Sequence, residues 1–415
     1  MNKFVIEGGI PLQGEVKISG SKNACLPIIA ATLLAPGKHI IHNIPHIGDI
    51  RTMLRILELI GSKVNNLDNH TLIIDTSLAN NPYAPYELIS TMRASFLITG
   101  AMIGRFGEAH ISRPGGCAIG PRPIDEHLHG FKLLGIKIKE EHGYLHLLRN
   151  HIVGGEIYLN EQSVTATENI LLASVISEAE THIINGAMEP HVMELIKFLN
   201  LIGGKIKLID DIIVIEGVLS LHPIEYTISA DYIEAGSFII ATAITGGEVT
   251  LIDAKYEDSI AEIAKLQEMG VQIKKVSSGI KVKMSDSIKP CNIKTAPYPG
   301  FPTDLQPQIT SLLAMANGTS IITETMYEQR FNHILELARM GAEIEIEGRN
   351  AIITGVRELS GTKVMASDIR GGAALVIAGL VAKGMTEVSR IYHIDRGYER
   401  LEAKLSQLGA KIKRV

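Results

Sequence analysis

The segment from Arg113 to His127, RPGGCAIGPRPIDEH, holds the most reactive combination of residues in the chain. Pro114-Gly115-Gly116 and Gly120-Pro121 bracket Cys117, and neither regular helix nor sheet accommodates that run. The glycines predict a loop able to close over a bound ligand. A thiol in such a loop is expected to be exposed, with Arg113 and Arg122 drawing its pKa below the free value of about 8.5. It would serve as an acid or a nucleophile. Most unpaired cysteines are instead buried and inert, and that description suits Cys25, inside an apolar helix, and Cys291.

Charged residues recur at related places. Polar clusters stand at the predicted starts of apolar helices at Ser21-Lys22-Asn23, Met92-Arg93-Ala94, Thr167-Glu168-Asn169, Asp231 to Glu234, Thr303-Asp304 and Asp368-Ile369-Arg370. A second set precedes another group of helices: Asp49-Ile50-Arg51, Arg122-Pro123-Ile124-Asp125, Gln329-Arg330 and Asp395-Arg396-Gly397. Helix N-termini attract anions through free N–H groups and the macrodipole. A cation there does nothing for the helix, yet Lys22, Arg93, Arg370 and Arg396 occupy such positions. One arginine so placed is as readily the salt-bridge partner of a neighbour such as Asp368 or Asp395. Five or six at matching positions point to a polyanionic ligand, with phosphate or carboxylate groups in more than one place.

The positions match because the chain is repeated. An apolar residue followed by glycine recurs at Gly61, Gly135, Gly203, Gly270, Gly341 and Gly409, at intervals of 67 to 74 residues. Before each glycine runs a helical pattern, as in Ile50, Met53, Leu54 and Leu57. After it comes strand-like alternation, clearest at Lys205-Ile206-Lys207-Leu208 and Glu343-Ile344-Glu345-Ile346. Each unit also carries an upstream helix, such as Leu26 to Leu34, and a strand, such as His39 to His42. Two helices and three or four strands per unit make an α/β architecture. The sixth unit stops after Lys411 to Val415 without a returning strand, and Phe4-Val5-Ile6-Glu7-Gly8 reads like the returning strand Ile213-Val214-Ile215-Glu216-Gly217. The N-terminal strand is therefore expected to complete the last unit. Six units exceed a single core, which stops growing near about 250–300 residues. A split into three and three is expected, with domains 21–230 and 1–20 plus 231–415 facing each other across a cleft.

Composition narrows the function. The chain has 415 residues, 46% of them hydrophobic, and a net charge of −5, so no general nucleic-acid surface is implied. Three cysteines without framework spacing fit a reducing, cytoplasmic setting. Neither a signal-length apolar run near Met1 nor a bilayer-length one elsewhere is present. The histidines lack HExxH spacing, the cysteines lack a CxxC partner, and no GxxxxGK[ST] occurs, so neither a metal nor a nucleoside triphosphate is expected. His127 and His393 lie near the charged loops, where a hydrogen-bonding role is the plainer assignment.

The six units and their closing strand resemble the enolpyruvyl transferases. So do Ser21-Lys22-Asn23-Ala24, the loop from Pro114 to His127, Phe301-Pro302-Thr303-Asp304-Leu305-Gln306 and Asp395-Arg396-Gly397, in the right order over essentially the whole chain. Within the family the similarity is to members acting on UDP-N-acetylglucosamine. The resemblance implies two inside-out α/β barrel-like domains of three units each, with the active site in the inter-domain cleft. It implies transfer of the enolpyruvyl group of phosphoenolpyruvate to the 3′-hydroxyl of UDP-N-acetylglucosamine, the first committed step towards peptidoglycan. It implies small-molecule partners alone, with no cofactor, no metal, no nucleic acid and no membrane insertion, and it is compatible with a monomer.

The same resemblance assigns roles. Lys22, Arg122 and Arg396 would hold phosphoenolpyruvate, with Arg330 and Arg370 beside its carboxylate. Cys117 would deliver a proton as general acid and Asp304 would take one from the sugar hydroxyl. Asn23, Arg93, Ser163, Val164 and Met326 match positions contacting the UDP-sugar, and Pro123, Ile124, Asp125, Glu126 and Asp368 complete the substrate-binding set. Thr165 stands where the family commonly has glycine, which alters the backbone contact to the diphosphate there, and Cys25 replaces a usual alanine. The alternatives are a shikimate 3-phosphate enolpyruvyl transferase, which lacks the cysteine-bearing loop, and a non-catalytic repeat scaffold. An RNA 3′-terminal phosphate cyclase-like enzyme would need a nucleotide site and a histidine nucleophile, and neither is found.

Overall fold

The structure, a computed structural model, describes residues 2–114, 123–284 and 286–415. Every repeat glycine takes the left-handed turn its position demands, with φ between 82° and 110° at Gly61, Gly135, Gly203, Gly270, Gly341 and Gly409. Each ends a helix at the point where the chain must reverse into a strand. An L side chain at that φ costs energy, so glycine marks the repeat.

Among the described residues six four-stranded sheets result, and all share one plan. Two neighbouring strands run parallel and the remaining pairings are antiparallel, as where Gly155–Tyr158 pairs parallel with Glu180–Ile184. That strand in turn pairs antiparallel with Ile212–Glu216, which forms a hairpin with Lys205–Ile209. Asp210 and Asp211 both have positive φ and make the tight turn of that hairpin. The strand Phe4–Glu7 lies between Met385–Ser389 and Lys411–Arg414, antiparallel to both, and supplies the strand the sixth sheet would otherwise lack. Its trailing glycine has a packing cause. A Cβ on Gly8 would strike the backbone of Ala382, and one on Gly217 would strike Ser177.

Of the described residues, 20–114 and 123–229 form one compact unit, and 2–19 with 230–415 form the other. Each has its own apolar core. In the first, the core is built on helices Lys22–Ala31 (α1), Ile98–Phe106 (α2) and Val164–Ser174 (α3). In the second it is built on Tyr232–Ile244 (α4), Gln306–Leu313 (α5) and Ile369–Gly379 (α6). These helices are buried along nearly their whole length, and every residue of α4 and α5, and all of α6 but Ile369, is buried. A helix apolar on all sides must sit inside a domain. The sheets bury one face each, as in Phe4 and Ile6 against exposed Glu7.

The burial of α3 corrects one expectation. Thr167, Glu168 and Asn169 do not open the helix: α3 begins at Val164, and the three side chains lie one turn inside it, fully buried. The polar groups of Thr167 and Asn169 are used internally, while one Glu168 carboxylate oxygen has no hydrogen-bond partner among the described residues. The Thr167 hydroxyl donates to Ser163 O and accepts from Ala187 N. Asn169 accepts from Gly100 N and donates to Phe96 O.

Candidate active site

In the 20–229 unit the cations stand at loop and helix starts, each with a polar partner. Ser21 caps α1, its hydroxyl accepting from Ala24 N at 3.3 Å. The cap sets Lys22 in the first turn, where its ammonium meets the buried carboxylate of Asp49 at 2.9 Å. Asn23 follows, half-buried. Arg93 donates to the carbonyl of Pro123 at 2.6 Å, which ties it to the chain just before the helix Asp125–Leu133. Ile124 is buried, and the Glu126 carboxylate accepts from the backbone and side chain of Asn160. Ser163 caps α3 by accepting from Ala166 N, with Val164 as the first helical residue. Cys117 and Arg122 lie outside the described residues.

Two neighbours of that segment are settled. Arg113 grips Glu140 with two parallel bonds of 2.7 Å, a carboxylate partner its sequence position did not announce. His127 is buried, and its ring bonds Thr165 Oγ1 through Nε2 and Asn169 through Nδ1, a hydrogen-bonding role. Cys25 and Cys291 behave as inert thiols. Burial, then Glu194, pushes the Cys25 thiol up. Burial and a bond to Glu268 raise Cys291 to about 11.

The other unit assembles a tighter cluster. Asp304 sits in a short helical turn just before α5, and two guanidiniums converge on it. Arg330 Nη2 meets Oδ1 at 2.7 Å, while Arg370 brings Nε at 3.1 Å and Nη2 at 2.8 Å to Oδ2. Both arginines are buried, 4% and 5% exposed, while the Asp304 side chain keeps 29% of its surface. Burial alone would push this carboxyl up. The two guanidiniums outweigh it and hold Asp304 well below the usual carboxylate range. It is a fixed anion. Asp368 caps α6 by accepting from Arg370 N and Gly371 N, which places Arg370 in the first turn. His333 lies beside Arg330, its Nδ1 against the Arg330 carbonyl, and burial lowers its pKa to about 4. Asp395 pairs with Arg414 through both of its oxygens.

Sequence reasoning missed Glu324. This buried carboxylate bonds the hydroxyls of Thr295 and Thr303 and the backbone N–H groups of Met326 and Tyr327. It thereby positions Met326, and no local pattern announces it. Among the described residues, no helix is long and apolar enough to cross a membrane.

A family model for EPSP synthase (3-phosphoshikimate 1-carboxyvinyltransferase) matches residues 6–405. The chain belongs to the enolpyruvyl transferase family. Among its relatives is a UDP-N-acetylglucosamine 1-carboxyvinyltransferase 1 of Clostridium acetobutylicum, 50% identical over 417 residues and covering all of both chains. A UDP-N-acetylglucosamine 1-carboxyvinyltransferase of Anaeromyxobacter sp. is 47% identical over 419 residues, covering 100% of this chain and 99% of its own. Solved structures of enolpyruvyl transferases share the fold. NikO from Streptomyces tendae superposes with a TM-score of 0.89 at 23% identity, covering 100% of this chain and 99% of that one. EPSP synthase from Acinetobacter baumannii gives 0.79 at 19%, with full coverage of both.

Proposed function

We propose that this enolpyruvyl transferase moves the enolpyruvyl group of phosphoenolpyruvate onto the 3′-hydroxyl of UDP-N-acetylglucosamine, releasing phosphate, and that it does so in the cytoplasm. The observation that carries the proposal is full-length identity of 47–50% to relatives bearing that activity in their names. Both substrates are polyanions, which accords with Lys22 and Arg93 in one unit and Arg330 and Arg370 in the other.

In this reading Cys117 protonates the methylene carbon of phosphoenolpyruvate, and the neighbouring carbon becomes electrophilic. The sugar oxygen adds to it, its proton passing towards Asp304. The tetrahedral adduct then loses phosphate and a methyl proton, restoring the double bond. Lys22, Arg122 and Arg396 hold the phosphate and steady its growing charge. Arg330 and Arg370 serve the carboxylate side. Asn23, Arg93, Pro123 to Glu126, Ser163, Val164, Met326 and Asp368 take the UDP-sugar and frame its site. The doubly paired state of Asp304 refines its role. An anion held that far down is a weak base but a strong hydrogen-bond acceptor, so it orients the hydroxyl first. It gains basicity only as substrate draws the arginines away.

Phosphate release measured with UDP-N-acetylglucosamine and, separately, with shikimate 3-phosphate tests the proposal. Release with the nucleotide sugar alone is expected, and release with the shikimate ester alone would overturn it. Cys117→Ser is expected to lose nearly all turnover at neutral pH while keeping UDP-sugar affinity, because a hydroxyl is a far weaker acid than a thiol.

A further inference from the structure

Arg370 is gripped by less than its surroundings suggest. Both of its bonds to Asp304 end on the same oxygen, Oδ2, and its Nη1 has no hydrogen-bond partner among the described residues although the residue is 5% exposed. Two bonds to one atom fix the guanidinium plane less firmly than a fork onto both carboxylate oxygens would. Something else must set it.

Tyr398 lies where that job falls. The Arg370 guanidinium carbon sits 5.3 Å from the centre of the Tyr398 ring, and the tyrosine is 2% exposed. Its hydroxyl belongs to a closed set of bonds whose protons can be counted. Ser237 Oγ donates to Ile233 O at 2.8 Å, which uses its one proton. In the 2.8 Å contact between Ser237 Oγ and the Tyr398 hydroxyl, the tyrosine must therefore donate. Gln308 Nε2 donates to both oxygens, at 2.9 Å to Tyr398 and 3.2 Å to Ser237. The phenol proton is thus aimed at α4, and the ring is pinned at its hydroxyl end by two partners. Arg370 meets a π face and an oxygen whose proton points away from it, a surface that attracts a cation and cannot repel it.

We propose that Tyr398, locked by Ser237 and Gln308, is a positioning residue that fixes the plane of the Arg370 guanidinium and through it the carboxylate of Asp304. The proposal rests on the assignment of Arg370 and Asp304 to the enolpyruvyl transfer site. Three helices, α4, α5 and α6, are joined to the Gly397–Glu399 segment by this set of bonds, so the orientation of one cation is set by the core of the unit.

The test is a double-mutant cycle between Tyr398→Phe and Arg370→Lys, read as kcat/KM for phosphoenolpyruvate. Tyr398→Phe keeps the ring and removes the lock, and is expected to lower kcat/KM about three- to tenfold, the range of one or two net hydrogen bonds. UDP-N-acetylglucosamine affinity is expected to stay within about twofold. In the Arg370→Lys background the same change is expected to cost less than about twofold, because its effect runs through the guanidinium. Ser237→Ala, which frees the phenol proton to turn towards Arg370, is expected to reproduce part of the loss and covers the case in which Tyr398→Phe does not fold. Equal fractional losses in both backgrounds, or unchanged kcat/KM in Tyr398→Phe, would overturn the proposal. A wild-type protein without phosphoenolpyruvate-dependent turnover would instead sink the functional assignment. The coupling is then read from urea midpoints of the ligand-free single and double variants, where strict additivity overturns the positioning role.

Discussion

At equivalent places in the repeat, the two units cap their central helices with opposite chemistry. Ser21 and Ser163 cap α1 and α3 with a neutral hydroxyl that accepts one N–H each. Asp231 and Asp368 cap α4 and α6 with a carboxylate that accepts two each. A serine cap leaves most of the positive end of the helix open to an incoming anion, whereas an aspartate cap cancels it from within. The 20–229 unit thus keeps the positive field of these two helix starts open. The other unit already holds its anion, Asp304, between two guanidiniums. One backbone plan was given two electrostatic tasks, and a single residue at each helix start decides which.

The sharpest way to break this comparison is to remove the acid from each unit. Asp304→Ala strands two buried guanidiniums, and a loss of about 3–5 kcal/mol in urea unfolding is expected. Asp49→Ala takes the carboxylate from Lys22, whose flexible stem lets the ammonium move to water, and a clearly smaller loss is expected. Equal losses would show that the internal anion is no more committed than the other.

Next comes pH. Glu262, in the helix Ile260–Glu268, is buried away from cations, and burial raises its carboxyl to about 7. The folded state therefore keeps this proton after the unfolded chain has released it. The stability it contributes is full below about pH 4.5 and falls as pH rises towards 7. Glu262→Gln is expected to flatten that slope and to stabilise the protein by about 2 kcal/mol at pH 8, measured by urea unfolding at several pH values. His333 works in the other direction. Its folded pKa near 4 means stability is lost as pH falls from about 6.5 towards 4. An acid buried without cations stays protonated, while Asp304, buried with two, stays ionised.

The smallest effects come from exchanging caps. Asp368→Ser is expected to cost about 1 kcal/mol of stability, seen as a lower Tm. Ser163→Asp is expected to leave Tm level or slightly higher yet to weaken UDP-N-acetylglucosamine binding about tenfold by calorimetry, since it fills the field the ligand would use. Unchanged binding would mean that the α3 terminus takes no part.

Three of these caps were legible because they are local. Ser21, Asp231 and Asp368 each stand where the sequence opens an apolar helix, whereas Ser163 was missed as a cap because that helix was expected to open at Thr167, and the six glycines announce each reversal of the chain. The closing strand was readable from the likeness of FVIEG to IVIEG, for which the tight passages at Gly8 and Gly217 give the reason. Convergence was not legible from residue types alone. Arg330 and Arg370 reach Asp304 from 26 and 66 residues away, and only family resemblance put all three in one site. Arg113 looked available to a thiol because Glu140, its partner, comes from a different strand. Thr167 to Asn169 looked like a surface cluster because burial of a polar run depends on partners such as Ala187 and Gly100, which no window of sequence contains.

The strand Phe4–Glu7 also sets a timetable. It leaves the ribosome long before either strand it must join, Met385–Ser389 or Lys411–Arg414. The stretch 20–229 is contiguous and can close its sheets while synthesis continues. The other unit cannot. Until they are made, an apolar strand with two bare edges waits for neighbours not yet synthesised, which is the situation that invites capture by a chaperone or by another nascent chain.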